Sequence, residues 1–207
     1  VRQDNHGPSA ARNHGLRVVE GKYVVFLDAD DRLLPHHFET SLRAVRYHPD
    51  AACVMGDYRW FGAEGTWHVH DCEPRPDHYG SLLRSNFIGP PHPVMFRRSV
   101  LLELEGFRAD LRTFEDLELY LRVARRYKIH CHHELVALYR RHTEQASLNV
   151  EAMLKSGLQV LWAQRPHIRG NRAYREAYRT GIRHTKQTWG IPLAWEMVVA
   201  AREGRFR

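Results

Sequence analysis

The segment Gly21-Lys22-Tyr23-Val24-Val25-Phe26-Leu27-Asp28-Ala29-Asp30-Asp31 constrains the fold more than any other, because an unbroken apolar run empties into three crowded carboxylates. A short, continuously apolar, β-branched and aromatic run reads as a strand buried on both faces, the pattern of a parallel sheet covered by helices. Ligands of open α/β sheets gather at the carboxyl ends of such strands. Carboxylates this close repel one another unless solvent or a bound cation offsets their charge. A hard cation such as Mg²⁺ or Mn²⁺ would do so and could bridge to substrate phosphates. A turn whose Asp caps the helix starting near Pro35 accounts for the same residues, and both readings stand at this point.

The chain is long enough, at 207 residues and 43% hydrophobic, for one full-sized domain with an appendage. It contains no apolar run of the roughly 18 residues that would span a bilayer, and it starts without a signal-peptide pattern. A soluble or peripheral, cytoplasmic protein is expected. Cys53, Cys72 and Cys131 are single and odd in number, which points to small buried side chains in a reducing compartment, not to a disulfide framework. The run His130-Cys131-His132-His133 invites a zinc reading, but consecutive residues of a strand alternate faces and cannot all reach one ion.

The net charge of +7 arises unevenly: residues 1–150 hold 20 basic and 20 acidic side chains, and the remainder 11 and 4. The whole excess lies in the tail, which suggests a surface for an acidic partner.

Along the chain, Pro8 or Ser9 opens a helix running toward Glu20, and Tyr23 to Leu27 is a strand. Pro35 opens a second helix that ends before Pro49. Ala51 to Met55 is another strand, Tyr58 to Phe61 and Thr66 to His70 form a hairpin, and residues 72–77 form a loop. A helix is expected around Tyr79 to Arg84. A Gly/Pro-rich connection from Asn86 to Pro93 has the character of a functional loop. Pro93 to Phe96 reads as a strand, with Ser99 capping a short helix that ends at Gly106. Phe114-Glu115-Asp116 begins a helix with an acidic first turn, which suits the helix dipole. Apolar segments near Ile129 and from Leu135 to Tyr139 follow. From Asn149 the texture is helical, with Met153, Leu154, Leu158, Val160 and Leu161 on an apolar stripe and Arg169, Arg172, Arg175, Arg179, Arg183 and Lys186 on a basic face.

Four elements in order resemble glycosyltransferase family 2, the GT-A type of nucleotide-sugar-dependent transferase. Gln3 to Asn13 is similar to the family's Q-x-N-x-G-x-S-x-A-R-N stretch. Gly21 to Pro35 is similar to its element containing the D-x-D motif. Gly106-Phe107 followed by Phe114-Glu115-Asp116 resembles its G-F and E-D element, and Tyr139-Arg140-Arg141-His142 up to Ser147 its terminal Y-R-x-H element. The resemblance covers about residues 1–147. It implies an α/β fold of GT-A, Rossmann-like kind: a mostly parallel sheet flanked by helices, here without the first strand-helix-strand, so that the chain is read as N-terminally truncated. The expected organisation is a partial catalytic domain at 1–148 and a basic helical extension at 149–207.

The same resemblance assigns roles. Asp30 would ligate Mn²⁺ or Mg²⁺, with Asp28 beside the ribose or the metal shell and His142 approaching the metal or diphosphate. Asp116 would be the general base of an inverting transfer, with Glu115 bonding acceptor or backbone groups. Arg12 and Asn13 would support the donor side or pack the helix, and Arg140 with Arg141 would neutralise phosphate charge or stand on the surface. The Gly89-Pro90-Pro91-His92-Pro93 loop looks like the acceptor wall, with Trp60 and Trp67 as sugar-stacking candidates or core residues. Asp31 would cap the following helix.

The leading reading is therefore transfer of a sugar from a nucleotide-diphosphate sugar, a UDP-sugar first, to a hydroxyl of a glycan or lipid-linked acceptor in polysaccharide biosynthesis. Two rivals are a catalytically inactive sugar-nucleotide-binding fragment and a nucleic-acid-binding module using the tail. No helix-turn-helix, zinc-finger or RNA-binding signature supports the latter. The tail itself reads either as an anchor on anionic membrane or as helices packed on the body.

Overall fold

The computed structural model describes residues 2–62, 65–70, 76–143 and 145–202, with side chains left out at 66–69 and 146. The expectations for Cys72 and for the Trp67 ring fall outside these residues.

Helix α1 spans Pro8–Val18, with Pro8 at the first turn where its missing N–H is not needed. Strand β1, Tyr23–Val25, is followed by the acidic turn, by β2 at Arg32–Leu33, and by α2 at His37–Tyr47. The two strands read from Ala51 to Phe61 are one long strand, β3 (Ala51–Gly62), which turns back through β4 (Gly65–His70) as the expected hairpin. Helix α3 (His78–Arg84) is capped by Asp77, whose side chain accepts the Gly80 N–H at 3.0 Å. Strand β5 (Val94–Arg97) leads into α4 (Arg98–Glu103), so Ser99 sits inside that helix and does not cap it. Helix α5 is Glu115–Ala124 and strand β6 is Lys128–Arg140.

The apolar segments around Ile129 and Leu135 are thus two ends of β6. His133 interrupts them with φ 55, near the place where the pairing with β3 shifts register between Met55 and Asp57. A left-handed residue re-aims the strand, and so breaks the alternation by which a continuous strand is recognised.

The sheet order is β1-β5-β3-β6-β2, with β4 beside β3. It is mixed, and the mostly parallel expectation needs correction: among the described residues β3 and β6 run parallel, whereas β1/β5, β3/β5, β2/β6 and β3/β4 are antiparallel. The apolar run at β1 reports that both faces are covered by helices; it carries no information on the direction of the neighbouring strand. Coverage is as expected. Val24 and Phe26 enter the main core with Phe96, Phe107 and Tyr120, while Tyr23 and Val25 pack on the opposite face with Ala44 and Val45 of α2.

After a 3₁₀ turn at Ala146–Leu148 come α6 (Val150–Trp162), α7 (Arg165–Ile168), α8 (Arg172–Thr185), a π-helical turn (Lys186–Gly190) and α9 (Ile191–Arg202). Asn149 caps α6 by accepting the Ala152 N–H at 2.9 Å. Helices α6 to α8 are seated on the body: Tyr79 Oη donates to Gln164 Oε1 at 3.1 Å, and its ring meets Tyr174 edge-on. Gly181 marks the closest approach, since a Cβ there would lie 1.9 Å from the Leu83 carbonyl oxygen. Gly181→Ala should accordingly force α8 off α3 and lower unfolding stability by about 2–3 kcal/mol, measured by denaturant titration. An unchanged midpoint would contradict this packing. No helix among the described residues is long and apolar enough to cross a membrane.

Candidate functional site

The acids that follow β1 separate into three environments. Asp28 accepts two hydrogen bonds from Arg12 Nη2, at 2.8 and 2.9 Å, and the same guanidinium reaches Glu115 Oε1 through Nη1 at 2.6 Å. Arg12 comes from α1 and Glu115 opens α5, so one buried cation ties three distant parts of the chain together. Burial by itself would lower the pKa of Arg12, but Asp28 and Glu115 outweigh it and hold the guanidinium charged. The ring of Phe107 lies against the same guanidinium, 5.3 Å from its carbon.

Asp30 points the other way, with Oδ2 2.9 Å from His142 Nε2. Both side chains keep about a third of their surface in solvent.

Asp31 turns inward. It accepts the Arg140 N–H at 2.9 Å, and its other oxygen is 2.9 Å from Nδ1 of the fully buried His92. It therefore stitches the acidic turn to β6 and does not cap α2, whose N-cap residue is His36. The same contact corrects His92, which stacks on the Tyr139 ring, meets Tyr58 edge-on and shows no surface to an acceptor. A histidine in a Gly/Pro loop is locally indistinguishable from an exposed ligand; only the fold brings Asp31 to it.

Asn13 is likewise occupied. Its Nδ2 donates to the Phe107 carbonyl at 2.7 Å and its Oδ1 accepts the Phe107 N–H at 2.8 Å. Gly106, at φ 67, is held beside it with no room for a Cβ, which would come 2.3 Å from Asn13 Oδ1. Asn13 is thus a brace of the Gly106-Phe107 turn and not a group facing the donor. Arg122, which local reasoning passed over, braces the same turn: it pairs with Glu118 at 2.6 Å and donates to the Gly106 carbonyl, also at 2.6 Å. Its signal was the i, i+4 spacing of Glu118 and Arg122.

Glu115 and Asp116 form the first turn of α5 behind Phe114, an aromatic residue at φ 61 and ψ 12. Such a conformation is strained for a bulky side chain, at roughly 1–3 kcal/mol. The tail helices hold it in place, because Gly157 of α6 leaves the space into which the Phe114 ring fits. Asp116 Oδ1 accepts the Leu117 N–H at 2.6 Å. Burial first, and then the negative charge of Glu115, push the Asp116 carboxyl up to about 7.

Asp28, Asp30, Glu115, Asp116, His142 and Arg12 line one cleft of about 570 Å³. Pro90 and Pro91 also line it, and Met153, His184, Thr188 and Trp189 of the tail contribute a further part of its wall. The tail contribution was not foreseen, since helical spacing reports an apolar face without saying what it covers. On the far side of Asp30 and His142 a second depression of about 890 Å³ is lined by Arg32, Arg140 and Arg141. Trp60 belongs to neither lining; the Arg141 guanidinium lies over its ring at 4.8 Å.

Comparison with known proteins bears on family and fold. The profile of glycosyl transferase family 2 matches residues 1–104, about half of the chain. An uncharacterized Mycobacterium tuberculosis protein is 32% identical over 152 residues, covering 64% of this chain and 46% of its own length. An uncharacterized glycosyltransferase of Haemophilus influenzae is 27% identical over 163 residues, covering 72% of this chain and 52% of its own. The chain thus spans about half the length of these relatives. Among solved structures, Staphylococcus aureus TarS with UDP-GlcNAc superposes with a TM-score of 0.54 at 17% identity, over 78% of this chain and 49% of that one. The mannosyltransferase PcManGT of Pyrobaculum calidifontis, solved with GDP-Man and Mn²⁺, gives 0.54 at 16% identity, over 100% of this chain and 62% of that one. At such identities the superpositions establish the GT-A type of α/β fold. The profile match carries the acidic turn and Arg12 together, and on it the chain belongs to glycosyl transferase family 2.

Proposed function

We propose that the chain transfers a sugar from a nucleotide-diphosphate sugar to a hydroxyl of a glycan or lipid-linked acceptor, with inversion at the anomeric carbon. The observation that carries this reading is the convergence of Asp28, Asp30, Asp116 and His142 on one cleft from widely separated positions. Family membership supports it, as do the nucleotide sugars bound by the two superposed enzymes.

The donor set fits a divalent ion at Asp30 and His142. Carboxylate oxygen and imidazole nitrogen meet there at 2.9 Å and are open to the cleft. Among the described residues no three His, Cys, Asp or Glu side chains converge on one point, so water and the diphosphate would complete the shell. Asp28 fits less well as a direct ligand, because both its oxygens face Arg12. When bound, Mn²⁺ or Mg²⁺ would supply charge neutralisation for the departing nucleoside diphosphate. Arg140 and Arg141, lining the depression beyond Asp30, add positive charge for the same phosphates.

Asp116 is the base in this reading. It takes the proton of the acceptor hydroxyl while that oxygen bonds to the anomeric carbon; the bond to the diphosphate breaks on the opposite face and the leaving oxygen keeps the electron pair. A carboxyl near pH 7 is ionised in good part at neutral pH, yet basic enough to accept that proton. Glu115, bound to Arg12, positions Asp116 and Asp28 and is not itself a base. The acceptor lies between Asp116 and the tail wall, where the Trp189 indole offers a stacking face that His92 and Trp60 do not.

Release of nucleoside diphosphate from a panel of nucleotide sugars by the full chain, with and without added Mn²⁺, tests this. Asp30→Asn should abolish the metal-dependent part of nucleotide binding. Trp189→Ala should raise the acceptor KM about three- to tenfold and leave donor hydrolysis intact. Nucleotide binding indifferent to both metal and Asp30 would overturn the donor assignment.

A further inference from the structure

Helix α9 is built from Ile191, Pro192, Leu193, Ala194, Trp195, Met197, Val198, Val199, Ala200 and Ala201, broken only by Glu196 before Arg202. Apolar side chains occupy every face of it. A helix that is apolar all round is ordinarily buried in a core or in lipid. Yet no residue of α9 is buried: Trp195 is 65% exposed, Ile191 64%, Met197 52% and Val198 44%. The helices before it differ sharply, since α6 and α8 bury Val160, Leu161 and Ala177 against the body. Packing as an ordinary extension therefore accounts for α6 to α8 and leaves α9 unexplained.

The chain that leads into α9 carries the charge that bears on its partner. Arg175, Arg179, Arg183 and Lys186 recur every three or four residues along α8 and into the π turn, all exposed. A groove of about 690 Å³ gathers Arg165, Arg179, Arg183 and Lys186 around Trp162, Tyr178 and Ile182. Among the described residues none of these four cations has a carboxylate partner. Such a groove offers unpaired positive charge set against apolar surface, and an exposed apolar helix follows it five residues on. Phosphate headgroups above acyl chains present the complementary arrangement; a protein surface would have to supply both properties in one patch.

We propose that α9 lies in the interfacial layer of an anionic lipid membrane, with the groove cations on the headgroups. Over its described residues α9 is shorter than a bilayer-spanning helix, and the proposal places this stretch parallel to the surface. Cationic side chains add to the apolar term by attraction to the negative leaflet, and salt screens that part. This proposal stands on the tail alone and does not depend on the transfer reaction.

The experiment is co-sedimentation of the full chain with phosphatidylcholine vesicles, with and without phosphatidylglycerol, alongside sedimentation velocity in the absence of lipid. Wild type should partition onto phosphatidylglycerol vesicles and be released by salt. The paired substitution Trp195→Glu and Val198→Glu, at exposed positions, should lower the partition coefficient at least about tenfold while the circular dichroism spectrum stays unchanged. Arg179→Glu with Arg183→Glu should produce a loss of similar size on anionic vesicles only. Failure to bind phosphatidylglycerol vesicles, or binding untouched by the α9 pair, overturns the proposal. So does a concentration-dependent dimer that the α9 pair dissolves without any vesicle binding, which would assign the face to a second copy.

Discussion

Asp116→Asn should lower turnover by roughly 10²–10⁴-fold, the range set by loss of a positioned base, and at the same time make the protein more stable at pH 8. Both effects follow from one cause. Burial and the neighbouring Glu115 raise the carboxyl from its ordinary value of 3.8 to about 7, so the folded protein keeps a proton that the unfolded chain releases. The stability this group contributes is full below about pH 4 and is lost as pH rises through about 7. An amide at position 116 keeps the acceptor for the Leu117 N–H and removes the pH-dependent loss. The variant should exceed wild type by on the order of 2 kcal/mol at pH 8 and match it below pH 4, as read from thermal unfolding across that range. In wild type, kcat/KM should rise through about pH 7 as the base ionises. A variant that keeps its turnover would remove Asp116 from the base role whatever its stability does.

Arg12→Met should produce the largest loss of stability, about 3–5 kcal/mol, because it strands a buried carboxylate. The loss resides chiefly with Glu115, whose side chain is 11% exposed; Asp28, at 43%, can turn to water and contributes little. Arg12→Lys should recover only part of it, since one ammonium cannot grip both oxygens of Asp28 and Glu115 at once. Pairing Arg12→Met with Glu115→Gln should restore a share of the stability, and a double-mutant cycle in denaturant measures it. Arg12 also lowers the Asp116 carboxyl, so its removal should move the midpoint of the pH profile of any residual activity upward. Full additivity in the cycle, with an unmoved midpoint, would show that Arg12 does not couple the two acidic elements.

Much of this site was legible locally. The apolar run to Asp28, the Pro8 start of α1 and the helical texture from Asn149 follow from backbone and side-chain preferences acting within one turn or strand. The resemblance to a family singled out Asp28, Asp30, Asp116 and His142, and the fold brings all four to one cleft. The misreadings share one character. Asp31, His92 and Asn13 were each given a role without sight of their contacts, and each is claimed by a partner 61 to 109 residues away. The strain at Phe114 and the tail wall were invisible for the same reason.

By itself the sequence determined where most helices and strands lie, which acids stand at a strand end and a helix start, and that the excess positive charge sits in the tail. These depend on hydrogen bonding and periodicity within a few residues. The tertiary structure alone decided the mixed strand directions, the separation of the three acids into an Arg12-held, a cleft-facing and a buried member, and the seating of α6 to α8 beside them. It also decided that α9 is left exposed. Ion pairing and burial are properties of groups that meet only when the chain is packed, and no local pattern encodes which groups will meet.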